Sequence, residues 1–182
     1  MDIRREDAGI MNVMKTRKVA QVHCQGGCLT ECASGCTGCG SCESVCKKGA
    51  VRVWEDKIAR VDRRLCVGCG MCVKACPRSV ISLTPEYEYI EVRCSCHEPA
   101  PAARKMCANS CIGCGVCERV CSSGAAHVRD KLAEIDPERC ISCGMCAVKC
   151  PRGVIHDVNG IFTAEDIPGP LTQTGREAEK LG

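Results

Sequence analysis

The sequence predicts an α+β protein made of two tandem units, each built from short β-hairpins and short helices. Three observations carry this reading. The chain repeats itself, with 75 positions from Cys36 to Cys111 and 74 from Cys66 to Cys140. The stretches AVRVWEDKIARVD (50–62) and AAHVRDKLAEID (125–136) each alternate apolar and polar residues, turn, and alternate again, as a hairpin does. Sixteen of the 22 cysteines fall into four copies of C-x2-C-x2-C-x3-C. Within a copy the third and fourth cysteines are four apart, about one turn of a short helix.

The elements follow in order. Residues 1–21 read as a polar leader, 22–92 as the first unit, 93–160 as the second and 161–182 as an irregular tail punctuated by Pro and Gly. The motifs are Cys36-Cys39-Cys42-Cys46 and Cys66-Cys69-Cys72-Cys76 in the first unit, then Cys111-Cys114-Cys117-Cys121 and Cys140-Cys143-Cys146-Cys150 in the second. A hairpin lies between the two motifs of each unit. A further β run follows each second motif, at Val80–Leu83 and Val154–Val158. Gly38, Gly40, Gly68, Gly70, Gly113, Gly115 and Gly144 supply the backbone freedom that a looping triplet needs. Pro77 and Pro151 follow two of the fourth cysteines and stop the motif sharply, whereas Lys47 and Ser122 follow the other two.

Composition narrows the chemistry. Aromatic residues make up 2% of the chain, too few large apolar side chains for an ordinary core of this length. An inorganic group must fill the gap, and folding then depends on it. A disulfide-rich secreted scaffold is the rival, but the N-terminus carries no signal-peptide apolar run. Nor does any stretch approach the ~20 apolar residues of a membrane helix. The expectation is a reducing cytoplasmic compartment, with peripheral membrane association left open. The side chains sum to +3, without the basic, aromatic-interleaved stripe of a nucleic-acid binder.

The motif is the ligand spacing of [4Fe-4S] sites, and four copies imply four clusters. Zinc sites use isolated C-x2-C pairs and not this repeated run, so a zinc-stabilised interaction module is the weaker reading. Residues 36–83 and 111–158 each resemble a two-cluster bacterial ferredoxin. The stretch RCSCHEPAPAARKMCANSCIGCGVCERVC (93–121) and CQGGC (24–28) are similar to the ferredoxin-repeat region in the B subunit of Rnf-type electron-transport complexes. That resemblance implies tandem ferredoxin-like 2[4Fe-4S] domains and crossed ligation within each. Cys36, Cys39 and Cys42 would share a cluster with Cys76, and Cys66, Cys69 and Cys72 with Cys46. Cys111, Cys114 and Cys117 would pair with Cys150, and Cys140, Cys143 and Cys146 with Cys121. It implies an electron-transfer subunit of anaerobic metabolism, catalysing nothing itself. Its partner would be a redox enzyme subunit with a flavin or metal active site, or a soluble ferredoxin. A freestanding polyferredoxin shuttle and a redox-sensing or structural iron–sulfur protein are the alternatives.

Six cysteines stand outside the motifs: Cys24, Cys28, Cys32, Cys94, Cys96 and Cys107. They read either as ligands of an additional metal site or as thiols packed beside the clusters. His23, His97, His127 and His156 read as surface or hairpin residues, because each motif already supplies four thiolates. Lys47, Lys48, Arg63, Arg64, Lys74, Arg78, Lys149 and Arg152 lie beside motif cysteines, as a solvated face or as a docking charge for an acidic ferredoxin.

Overall fold

The computed structural model describes residues 17–158, so the tail and most of the leader lie outside the described residues. Eight short strands pair into four two-stranded antiparallel sheets, and five short helices lie between them. The expected hairpins form. β2 (Val51–Val53) pairs with β3 (Ala59–Val61), and β6 (Ala126–Arg129) with β7 (Leu132–Ile135). The expected helices also form. α1 (Ser41–Ser44), α2 (Met71–Ala75), α4 (Val116–Val120) and α5 (Met145–Val148) each begin one residue before a third cysteine.

The other two sheets close the units over long distances. β1 (Lys18–Val22) pairs with β4 (Ile81–Pro85), and β5 (Ile90–Val92) pairs with β8 (Ile155–Asp157). Hydrogen bonding thus groups 18–85 and 90–157. The sequence reading leaves Lys18–Gln21 in the leader and Ile90–Val92 in the first unit. Their strand character rests on partners more than sixty residues away, which leave no local signal. α3 (Ala100–Met106) is a further addition, started by Pro99 and Pro101 near its N-terminus, where a missing N–H costs nothing.

Each unit has its own small core. Val19, Val22, Val51, Val80 and Ile81 surround Cys42, Cys66 and Cys72 in the first. Ile90, Val92, Val154 and Ile155 surround Cys111, Cys117 and Cys146 in the second. The aliphatic wall is thin and the cysteines are built into it, as the scarcity of aromatics requires.

The turn after each fourth cysteine is the same in all four motifs. The N–H three residues on bonds back to the cysteine carbonyl: Gly49 to Cys46 at 3.0 Å, and Ser79 to Cys76, Gly124 to Cys121 and Gly153 to Cys150 at 3.2 Å. The third residue is left-handed each time, with φ of 61°, 53°, 62° and 58°. Proline at Pro77 and Pro151 is therefore not what makes the turn.

A loop of the first unit grips the second. Leu29 and Thr30 donate to the Met106 carbonyl, at 2.8 and 3.2 Å, and Ala108 donates to the Gly27 carbonyl at 2.9 Å. Gln25 reaches the Asn109 carbonyl and the His156 ring. Ser95 donates to the His23 carbonyl at 2.8 Å. Arg63 spans the same junction, its guanidinium on the buried Glu91 carboxylate and on the carbonyls of Glu86 and Glu88.

Candidate iron–sulfur sites

The left-handed glycines of the triplets turn the chain so that three cysteines face one space. At Gly68, φ is +67° and a Cβ would stand 2.3 Å from the Lys18 carbonyl oxygen, so only hydrogen fits. In the fourth triplet Ser142 occupies the equivalent place with φ 54°. Gly40, Gly70, Gly115 and Gly144 then cap the short helices, also left-handed. The helix buries the third cysteine: Cys42, Cys72, Cys117 and Cys146 are all buried, while Cys39, Cys69 and Cys114 are exposed.

Among the described residues, three clefts open to solvent lie at these cysteines, about 320, 310 and 290 Å³ when the space at their open mouths is included. The first is lined by Cys36, Cys39 and Cys42 with Cys76, and the second by Cys111, Cys114 and Cys117 with Cys150. Cys140, Cys143 and Cys146 line the third with Cys121. In each the fourth cysteine comes from the neighbouring motif. Val53, Ala59, Val80 and Ile81 form the apolar wall of the first, and Val128, Ala133, Val154 and Ile155 that of the second. For the remaining set, Cys66 and Cys72 lie buried in the first core with Cys46 packed against it, and Cys69 is exposed.

The donors and the space fit a [4Fe-4S] group. A lone zinc ion would draw four sulfurs to about 2.3 Å from itself and need no such cavity. Among the described residues, no group of three or more His, Cys, Asp or Glu is gathered tightly enough to hold a single metal ion. Cys-lined cavities with dry walls suit a core of several irons and sulfides.

Electrostatics ties the same sets together. Burial pushes the Cys42 thiol up to about 11, and the nearby Cys36 and Cys76 add to it. Burial does the same to Cys117, up to about 11, with Cys111, Cys150 and Cys114 beside it. Cys146 rises to about 12 through burial, then Cys140 and Cys121. Each would give up a proton to a cluster, so loading releases protons and is favoured as pH rises. Cys46 and Cys121 behave oppositely. Burial would raise them, but backbone N–H groups outweigh it, from Val51 and Ala50 on Cys46 and from Ala126 and Ala125, with the Ser123 hydroxyl, on Cys121. The bonds from Ala125 and Ala126 to the Cys121 sulfur are 3.2 and 3.3 Å. The Ala20 N–H reaches the Cys66 sulfur at 3.3 Å. Where such a sulfur served as a ligand, these bonds would hold it and tune its cluster.

The histidines are engaged elsewhere. His23 bonds Ser82 and the Val92 carbonyl, His97 pairs with Asp130, His127 lies 3.8 Å from Glu118, and His156 meets Gln25. Part of the basic set is structural. Arg78 binds the Ala33 carbonyl and Glu31, and its counterpart Arg152 binds the carbonyls of Cys107 and Ser110. Arg17 escaped the sequence reading. Its guanidinium fastens the carbonyls of Arg63, Arg64 and Cys66 at the mouth of the second motif, a long-range contact without a local pattern.

Comparison with known proteins agrees with this geometry. Residues 35–80 and 110–154 each match the 4Fe-4S dicluster domain, and a second dicluster profile matches 65–126. The B subunit of a Na(+)-translocating ferredoxin:NAD(+) oxidoreductase complex from Acetobacterium woodii is 35% identical in an alignment 147 positions long that covers 68% of this chain and 44% of that protein. The B subunit of an ion-translocating oxidoreductase complex from Methanosarcina acetivorans is 40% identical over 108 residues, 59% of this chain and 41% of that protein. The chain spans less than half the length of these curated relatives. A chain of the formate dehydrogenase–heterodisulfide reductase–formylmethanofuran dehydrogenase complex of Methanospirillum hungatei aligns over 67% of this chain and 51% of its own, at 22% identity and a TM-score of 0.26. No helix among the described residues is long and apolar enough to cross a membrane.

Proposed function

Because the chain belongs to the 4Fe-4S dicluster domain family, with two such domains and hence four clusters, we propose that it is an iron–sulfur electron-transfer subunit. It carries single electrons through those clusters to or from a partner oxidoreductase. The observation that carries the reading is the set of cavities, each lined by three cysteines of one motif and the fourth of its neighbour. Bound clusters supply the redox change, and the chain supplies ligands, insulation and tuning.

The residues have separate duties. The buried third cysteines anchor a cluster to the core, and the aliphatic walls exclude water from it. The exposed Cys39, Cys69 and Cys114 leave one edge near the surface, where an electron can pass to a partner. The relatives' names place them in multi-subunit oxidoreductase complexes, one of them acting on ferredoxin and NAD(+). For this chain we assign donor or acceptor to a soluble ferredoxin, and catalysis to a partner subunit with a flavin or metal site. We assign it to the cytoplasm, because cysteine-ligated clusters suit a reducing compartment.

Anaerobic native purification tests this. A stoichiometric redox partner should co-elute, and the isolated chain should exchange electrons with viologen dyes yet reduce no NAD(P). Elution of the loaded chain alone would favour a freestanding shuttle. NAD(P) reduction by the chain alone would overturn the assignment of catalysis to a partner.

A further inference from the structure

We propose that Cys24, Cys28, Cys32 and Cys107 hold a fifth iron–sulfur cluster at the junction of the two units. None of the four belongs to a motif set. Three lie in the loop after β1, four residues apart, and the fourth ends α3 of the other unit.

The backbone brings them together. Cys28 and Cys107 face each other as an isolated antiparallel bridge. The flanking bonds of Leu29 and Thr30 to Met106, and of Ala108 to Gly27, fix that register from both sides. The Cys107 sulfur lies 3.4 Å from the Gly26 carbonyl oxygen. Gly27 allows the approach: its φ is +88°, and a Cβ there would stand 2.5 Å from the Asn109 side chain. The Cys28 thiol interacts with those of Cys107 and Cys32.

The four thiols also sense one another, as the motif sets do. Burial raises Cys28, Cys32 and Cys107 above the ordinary thiol range, and each is raised further by others of the four. Cys24 acts on all three. Four thiolates in one place need a cationic core, and soft sulfur donors select iron–sulfur clusters or zinc.

The alternative, thiols that fill space, describes Cys94 best. Cys94 and Cys96 are both buried in the second core, but Cys96 also raises Cys32, so it borders the group of four. Cys94 is pushed up to about 12 by burial, and its sulfur accepts the N–H groups of Cys96 and Cys111 at 3.4 and 3.3 Å. Cys28, in contrast, is exposed and fills no core. If the chain is an electron carrier as proposed above, a cluster here would be a stepping stone between its halves, since its ligands come from both.

Iron, acid-labile sulfide and zinc should be measured on the anaerobically prepared full chain and on a Cys28→Ser/Cys107→Ser variant. Four motif clusters account for about 16 iron. Wild type should hold about 2 or 4 iron more, for a two-iron or four-iron core, and the variant should fall back to about 16. Wild type at about 16 iron, with or without one zinc, overturns the fifth cluster and leaves the four motif clusters standing. A total well below 16 in both proteins would instead count against the motif clusters themselves. Alkylation of the native wild type gives a reading independent of any variant. Cys28, though exposed, should resist iodoacetamide until the clusters are removed. Ready labelling of Cys28 in the fully loaded protein overturns the proposal.

Discussion

Single residues set the shape of each site, and two of them invite opposite substitutions. Gly68→Ala forces a side chain into a left-handed position and against the Lys18 carbonyl oxygen. The backbone strain alone costs about 1–3 kcal/mol, and the clash adds to it. The temperature at which cluster absorbance bleaches should fall clearly. Ser142→Gly relieves the equivalent strain in the fourth triplet, and the same measurement should rise by the equivalent of about 0.5–1 kcal/mol, the left-handed cost less the extra backbone entropy that glycine loses on folding. The glycines were legible in the sequence because their spacing repeats. Ser142 was not, since nothing local marks a serine as left-handed. Glu88 is a second hidden residue. Burial lifts its carboxyl from 4.5 to about 7, the Glu91 carboxylate adds to this, and Arg63 opposes it. The folded protein therefore keeps a proton that the unfolded chain loses between those two pH values. Stability should decline as pH rises from about 4.5 to about 7 and then level off. Glu88→Gln should flatten that decline in bleaching temperature measured against pH; an unchanged slope would assign it to other groups.

At the scale of elements, the motif helices and the two hairpins were readable because each forms from neighbours in sequence. β1 and β5 were not, since Val19, Val22, Ile90 and Val92 gain their burial only from strands far along the chain. The fourth-cysteine turn was half legible: proline was the visible cue at two copies, yet the left-handed third residue does the work at all four. The one-turn helix between third and fourth cysteines has a testable result. It buries Cys42 in one cavity wall and leaves Cys46 against the core of the next site. Cys46→Ser should therefore perturb the cluster held by Cys66, Cys69 and Cys72 and spare the one held by Cys36, Cys39, Cys42 and Cys76. Cluster-resolved electron paramagnetic resonance should show that pattern, and loss of the Cys36 signal instead would refute crossed ligation. The salt bridge at the junction is also an element-scale contact. Arg63→Met leaves the Glu91 carboxylate, 8% exposed, with Arg93 as its remaining cation. The expected cost is about 3 kcal/mol, read from bleaching temperature.

For the whole molecule, the four-cluster content was legible because ligand spacing is a local property of the chain. The union of the halves was not, since the CQGGC loop carries no sign that its partner is the segment around Cys107. A relay in series predicts a sharp result. With a partner present, removing a cluster in the middle of the row should stop transfer between distant redox sites while the partner's own half-reaction continues. Turnover that persisted would favour a sensing or structural role for that half.

Exchange of cysteines between motifs also constrains how the protein is made. On a ribosome, the first triplet emerges as an incomplete site, because the cavity of Cys36, Cys39 and Cys42 is completed by Cys76. Likewise Cys111, Cys114 and Cys117 must wait for Cys150. A scaffold delivering clusters during synthesis would find nothing finished to fill until the second motif of a unit had cleared the exit tunnel. The first unit could then be loaded while the second is still being translated. The loop at Cys24–Cys28 would stay undocked until the segment around Cys107 emerged, so the earliest cysteines of the chain would be among the last to find their places.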